Sequence, residues 1–189
     1  MSENRTEQLT DIQIDGKDIY LRIARESDLN DYFTYLQDPE LRLTGTQREF
    51  TYDEIAAWIR KISVISSDRV DFLIFLKRTN ELLGEVVLNE IDSINRCANI
   101  RIGIQGTQHR GHGYGTDAII QMLRYGFNTI NLHRIDLTVY TFNPRAIHVY
   151  EKIGFKREGL HRDTLYLDER FYDMLTMAIL EDEFRSLYE

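Results

Sequence analysis

The stretch QHRGHGYGTDAIIQML, from Gln108 to Leu123, constrains the fold more than any other part of this 189-residue chain. Three glycines and an arginine fall within Arg110–Gly115, and an apolar-periodic run follows at once. Glycine lets the main chain take left-handed conformations and keeps Cβ atoms away from anything that approaches it. A helix that starts at such a turn presents unpaired N–H groups and a partial positive charge. The combination predicts a strand–turn–helix unit whose turn cradles an anion, a phosphate by preference, with Arg110 adding a full charge. Two familiar phosphate loops do not fit. There is no G-x-x-x-x-G-K-[ST], and G-H-G-Y-G lacks the glycine spacing of the dinucleotide fingerprint. A tight connection with no ligand is the plainer reading of the same residues.

The elements around this unit follow from periodicity and punctuation. DIYLRIAR (Asp18 to Arg25) reads as a strand. Leu29, Tyr32, Phe33 and Leu36 share a helical face that stops at Asp38-Pro39. TYDE, Thr51 to Glu54, is a capping box opening a helix whose inner face is Ile55, Trp58, Ile59 and Ile62. Strands follow at DFLIFLKR, which turns at Thr79-Asn80, then at LLGEVVLNEI and ANIRIGI. The helix after the glycine turn buries Ile119, Met122, Leu123, Gly126, Phe127 and Ile130. RIDLTVYTF is a strand, and NPRAIHVYEKIG is a helix with Asn143 as cap, Pro144 in the first turn and Gly154 at its end. Ala146, Val149, Tyr150 and Ile153 share one face of that helix. The closing FKREGLHRDTLYLDERFYDMLTMAIL forms two antiparallel strands joined through Asp168 and Glu169. Runs of neighbouring strands mixed with helices predict an α+β fold, a mostly antiparallel sheet flanked by helices. Strict alternation, which a doubly wound sheet needs, is absent. With no repeat or linker in the chain, residues 1–15 are expected to be a flexible segment and 16–189 a single domain.

Composition narrows the function classes. Hydrophobic residues make up 42% and charged residues 29%, ordinary values for a globular protein. No run approaches the roughly 18 apolar residues of a membrane helix, and the polar N-terminus lacks the apolar core of a secretory signal. The single cysteine, Cys97, excludes an intrachain disulfide and fits a reducing cytoplasm, the expected location. A formal net charge of −8 argues against nucleic acid as a partner and mildly favours cationic substrates, although acidic surfaces also serve solubility alone.

RGHGYGTDA and, one strand later, NPRAIHVYEKIGF resemble the GNAT acetyltransferase superfamily, which uses acetyl-coenzyme A. The family signature [Q/R]-x-x-G-x-[G/A] is met by Arg110, Gly113 and Gly115, and a tyrosine four residues before a Gly-Phe pair by Tyr150, Gly154 and Phe155. The opening LRIARESDL and the closing FYDMLTMAIL are similar to the branch that includes ribosomal-protein N-terminal and spermidine acetyltransferases. The resemblance implies a sheet with a splayed strand pair that admits the cofactor. It implies that the main chain of Arg110, Gly111, His112, Gly113, Tyr114 and Gly115, with Thr116, holds the pyrophosphate. Ile102, Gly103 and Ile104 would pair with the pantetheine arm, and Asn143 would contact it while also capping its helix.

The implied reaction is direct attack of an amine on the thioester in a ternary complex, with Tyr150 as the acid that protonates the departing thiolate. The oxyanion would lie against a main-chain N–H near Ile102–Ile104. The base is less clear in the sequence. Where spermidine-acetylating relatives carry a glutamate, this chain has Asn99, which leaves Glu85 and Glu90 on the preceding strand; solvated strand faces are the simpler reading of both. His109 and His112 invite a metal, but no third ligand is near and no metal is expected. The acceptor is expected to be a cationic amine: a protein N-terminus, a polyamine or an aminoglycoside, in that order. Its site would lie over the first two helices and the loop Pro39–Thr51, with Arg42, Arg48 and Glu49, facing Asp163, Asp168 and Glu169 of the closing hairpin. A homodimer is a further expectation. A catalytically silent acyl-CoA sensor and a phosphate-binding module are the competing readings.

Overall fold

The computed structural model describes residues 12–39, 41 and 49–189. Eight strands are hydrogen-bonded in the order β1-β2-β3-β4-β5-β6-β8-β7, antiparallel throughout the described pairings except for β5 with β6. The mixed α+β architecture expected from the order of elements is therefore present. The chain forms two compact units, residues 1–89 with 101–122, and 90–100 with 123–189.

The first unit is built on β1 (Gln13–Asp15), β2 (Ile19–Arg22), β3 (Arg69–Leu76) and β4 (Leu82–Asp92), whose last three residues run on into the second unit. Helices α1 (Leu29–Leu36) and α2 (Tyr52–Ile62) cover one face. Thr51 accepts the Glu54 N–H and the Glu54 carboxylate returns to the Thr51 N–H, so the capping box forms as the sequence requires. From these helices Tyr32, Tyr35, Ile55, Ile59 and Ile62 pack with Leu73, Phe75 and Leu82 of the sheet. The chain enters α1 through a short turn, Glu26–Asp28, locked by a buried ion pair. Asp28 accepts two bonds from the Arg22 guanidinium, each 2.7 Å, and one from the Arg25 N–H at 2.7 Å. The ladder of β3 and β4 slips where Ile74 faces Gly84 and Phe75 faces Leu82, leaving Leu83 as the extra residue of a bulge. Gly84 is required there, because a Cβ would stand 1.9 Å from the Gly103 carbonyl oxygen.

The second unit holds the start of β5 (Cys97–Ile104), β6 (Arg134–Tyr140), β7 (Lys156–Leu167) and β8 (Arg170–Leu180). The β5–β6 ladder joins Cys97–Asn99 to Arg134–Asp136 in parallel. β8 then pairs along all of β6 and returns through a two-residue turn at Asp168 and Glu169, both with positive φ. The last turns of α3 (Tyr114–Asn128), with α4 (Pro144–Ile153) and α5 (Glu181–Tyr188), complete this unit. The helix face expected at Ala146, Val149, Tyr150 and Ile153 turns inward, with Ile147 added to it. Ile147 and Ile153 are the buried pair and the other three are half-buried. The sequence gives little warning of α5, which is mostly polar. Its Phe184 is fully buried with ring centroids 5.2 Å from Phe127, and the Tyr188 hydroxyl donates to the Ile153 carbonyl at 3.0 Å.

Candidate active site

The glycine turn adopts the geometry its composition predicts. Gly111 and Gly113 have φ of 81° and 83°, and a Cβ built on either meets nothing within 4 Å, so the main chain there is bare on its outer side. Helix α3 starts immediately after, at Tyr114. Its first intrahelical bond runs from the Asp117 N–H to the Gly113 carbonyl at 2.9 Å, which leaves the N–H groups before it directed out of the helix. Asp117 would repel an anion at this tip, yet its carboxylate is engaged elsewhere, by the Lys17 N–H at 2.6 Å and the Gln121 side chain at 3.1 Å. Beside the turn lies a recess of about 300 Å³ lined by Lys17, Asp18, Leu76, Lys77, Arg78, His112 and Tyr114. Lys17, Lys77 and Arg78 bring cations to it, offset by Asp18 in its lining, by Asp15, which pairs with Lys77 at 3.3 Å, and by Asp117 on the Lys17 N–H. The residues present fit a polyphosphate through the bare N–H groups and the helix dipole.

Glu85 is the most telling side chain of the first unit. It interrupts the apolar run LLGEVVL, and its antiparallel partner on β3 is Leu73, a residue of the core under α1 and α2. Its carboxylate accepts the Tyr32 hydroxyl at 2.7 Å, and the Trp58 indole N–H reaches that hydroxyl in turn at 3.3 Å. Burial holds the Glu85 carboxyl above its ordinary range; the Tyr32 bond opposes the rise, Asp71 adds to it, and Arg101 and Arg69 pull it down. Burial and the facing Glu85 charge likewise raise the Tyr32 and Tyr35 phenols, so both keep their protons. Asp71 is neutralised by Arg69 through bonds of 2.8 and 2.7 Å, and the Arg69 guanidinium lies over the Trp58 ring at 5.0 Å. Glu85 is half-buried, and a carboxyl held this way binds a proton more firmly than an exposed one. Glu90, the other candidate, is exposed with φ of 55°.

Ile102, Gly103 and Ile104 end β5, all half-buried, with Gly103 against the Tyr35 hydroxyl. His109 stands 3.2 Å from Glu81, and the ring of His112 stacks on Tyr114. Among the described residues no cluster of His, Cys, Asp and Glu could hold a metal. Arg42 and Arg48 lie outside the described residues.

In the second unit, Tyr150 is half-buried with its ring edge-on to Phe155, centroids 5.9 Å apart. Burial pushes its phenol up to about 12, so it carries its proton throughout the physiological range. Asn143 caps α4 by accepting the Ala146 N–H at 3.2 Å. Asn99 donates to Asp136 at 3.0 Å, a structural bond rather than proton transfer. Sequence reasoning assigned Tyr32 and Trp58 to the core and did not single out Tyr35 or Arg101. The signal was Glu85 itself, since a lone acid in an apolar strand must find hydrogen-bonding partners on the elements packed over it.

This site and fold define an acyl-transfer family. Residues 18–156 match the Acetyltransferase (GNAT) domain, and the chain belongs to that family. Among its relatives, the spermidine N(1)-acetyltransferase of Vibrio cholerae serotype O1 is 38% identical over 108 residues, 57% of this chain and 62% of that protein. The enzyme of the same name from Escherichia coli K12 is 32% identical over 104 residues, 55% of each chain. The chain thus matches less than two thirds of the length of these curated relatives. A crystal structure of the Vibrio cholerae spermidine N-acetyltransferase in complex with CoA and spermine has a TM-score of 0.80 at 28% identity, covering 89% of this chain and 98% of that one.

Proposed function

We propose that this chain is an acetyl-CoA-dependent N-acetyltransferase that moves the acetyl group to a primary amine within a ternary complex. Acetyl-CoA supplies the activated thioester. The main-chain N–H groups from Gly111 to Gly115, with Thr116, hold its pyrophosphate; the Arg110 N–H expected to join them is taken by the Thr107 carbonyl at 3.2 Å, which leaves Arg110 its side-chain charge to contribute. Ile102, Gly103 and Ile104 offer main-chain partners to the pantetheine arm, and one of their N–H groups steadies the oxygen that becomes negative during attack. Asn143 keeps its capping bond and turns its amide N–H toward the same arm. Glu85 receives the proton the attacking amine must lose, and Tyr150 gives one to the departing sulfur.

The observation that carries this reading is the enclosed Glu85 carboxylate with its Tyr32 partner, in the same compact unit as the bare helix tip. A phosphate-binding module has no use for such a group. Two measurements test the proposal: calorimetric titration with acetyl-CoA and thiol release against a panel of primary amines. Micromolar binding and amine-dependent release are expected. Binding without release from any amine would leave a sensor, and no binding would remove the acetyltransferase reading.

A further inference from the structure

The charges around Glu85 also bear on the acceptor. β-Strand side chains alternate between faces, and a Cβ on Gly103 would meet the Tyr35 hydroxyl at 2.2 Å. The face of β5 that carries Gly103 is therefore the one beneath α1, and Arg101, two residues earlier, lies on that same face. Arg101 is exposed and makes no hydrogen bond or ion pair among the described residues, while its charge acts on both Glu85 and Tyr35. The other charges that act on this cluster are answered within the protein. Asp71 is held by Arg69 at 2.8 and 2.7 Å, and Asp38 accepts the Gly106 N–H at 2.7 Å. What remains is one carboxylate and one guanidinium on neighbouring strands, enclosed on one side by Tyr32, Tyr35 and Trp58.

Resting on the acetyl-transfer reading, we propose that the acceptor is an amine carrying a carboxylate a few bonds from its nitrogen, as a free amino acid does. Glu85 answers the ammonium and Arg101 the carboxylate. A bidentate guanidinium–carboxylate contact is strong and directional, whereas a linear polyamine would bring its second ammonium against Arg101, an unfavourable pairing. The structure thus assigns Arg101 as a specificity residue that sets acceptor class without touching the transferred group.

The test is calorimetric binding of a panel of free amino acids, their carboxamides and spermidine to the CoA-saturated protein, so that its readout does not depend on turnover. The wild type is expected to bind at least one amino acid about tenfold or more tightly than the matching carboxamide. Arg101→Gln is expected to abolish that difference by weakening the acid alone, and Arg101→Glu to reverse it in favour of spermidine. The proposal is overturned if the wild type prefers spermidine or the carboxamides, or if Arg101→Gln weakens acid and carboxamide alike. The two levels separate cleanly. Failure to bind acetyl-CoA removes the acetyl-transfer reading and this acceptor with it, whereas amine-dependent thiol release with the wrong preference removes the acceptor alone.

Discussion

Replacing Glu85 by glutamine removes the proposed base while preserving its shape. The amide oxygen can still accept the Tyr32 hydroxyl, which lies 2.7 Å from the carboxylate, so the pocket keeps its hydrogen-bond order. The chemical and thermodynamic effects then run in opposite directions. Thiol release should fall by about 10²- to 10⁴-fold, the usual contribution of a positioned base. Stability should move the other way. Burial holds the Glu85 carboxyl above its ordinary 4.5, so the folded state binds that proton more tightly than the unfolded chain. The stabilisation this gives is full below pH 4.5 and is lost as pH rises through the elevated value. Ionised Glu85 is thus a burden on the fold at neutral pH that glutamine does not carry. Thermal melts of wild type and Glu85→Gln should show the variant gaining relative stability between pH 5 and pH 8. Glu85→Ala, by contrast, strands the Tyr32 hydroxyl and should lose about 1–3 kcal/mol. A Gln variant that releases thiol within a few-fold of wild type, or that loses relative stability on going to pH 8, would refute this assignment.

Three further outcomes are expected. Tyr150→Phe keeps the ring packed on Phe155 but removes the acid, and kcat should drop about 10²-fold; with the phenol near 12, the wild-type rate should show no alkaline falling limb from Tyr150 up to about pH 10. Gly113→Ala must hold φ of 83° at a strain of about 1–2 kcal/mol, and calorimetry should find acetyl-CoA affinity lowered about tenfold, so unchanged affinity would place the pyrophosphate elsewhere. Asp28→Asn breaks the buried pair with Arg22 and should cost about 3 kcal/mol, a fall of about 10 °C in Tm; a loss under about 2 °C would show that Arg22 re-pairs at little penalty.

The parts of the fold that could be read in the sequence are those where local chemistry decides. The Thr51 capping box, the Asn143-Pro144 helix start and the Asp168-Glu169 turn form as their residues require. So does the glycine turn, because left-handed φ at Gly111 and Gly113 is a property of glycine itself. The features that escaped depend on tertiary contacts. Helix α5 is a polar segment held largely by one buried phenylalanine, a pattern too sparse to show periodicity. On α4, Ile147 is buried beside the expected face, which only the elements packed against it decide. The Glu85 network joins residues 53 positions apart in sequence, and nothing in the neighbours of Tyr32 or Trp58 marks them as its partners.

That network bears on why the base would sit on β4. At Asn99, where the resemblance to spermidine acetyltransferases implies a glutamate, the amide is tied to Asp136 and has no lone pair basic enough to accept a proton. A charged carboxylate at Glu85 is costly to the fold, because it lies in an apolar strand and burial holds its pKa up, even though it gives the Tyr32 hydroxyl a partner. A glutamine would keep the Tyr32 bond with no charge to desolvate. Stability alone therefore gives no reason for an acid at this position. The proposed proton transfer would give one, because the burial that makes the charge expensive also raises the carboxyl's basicity. The same reasoning bears on Arg101. Placed beside Glu85 it lowers the carboxyl's affinity for protons, which works against a base and is paid back only if the guanidinium has a partner of its own in the acceptor.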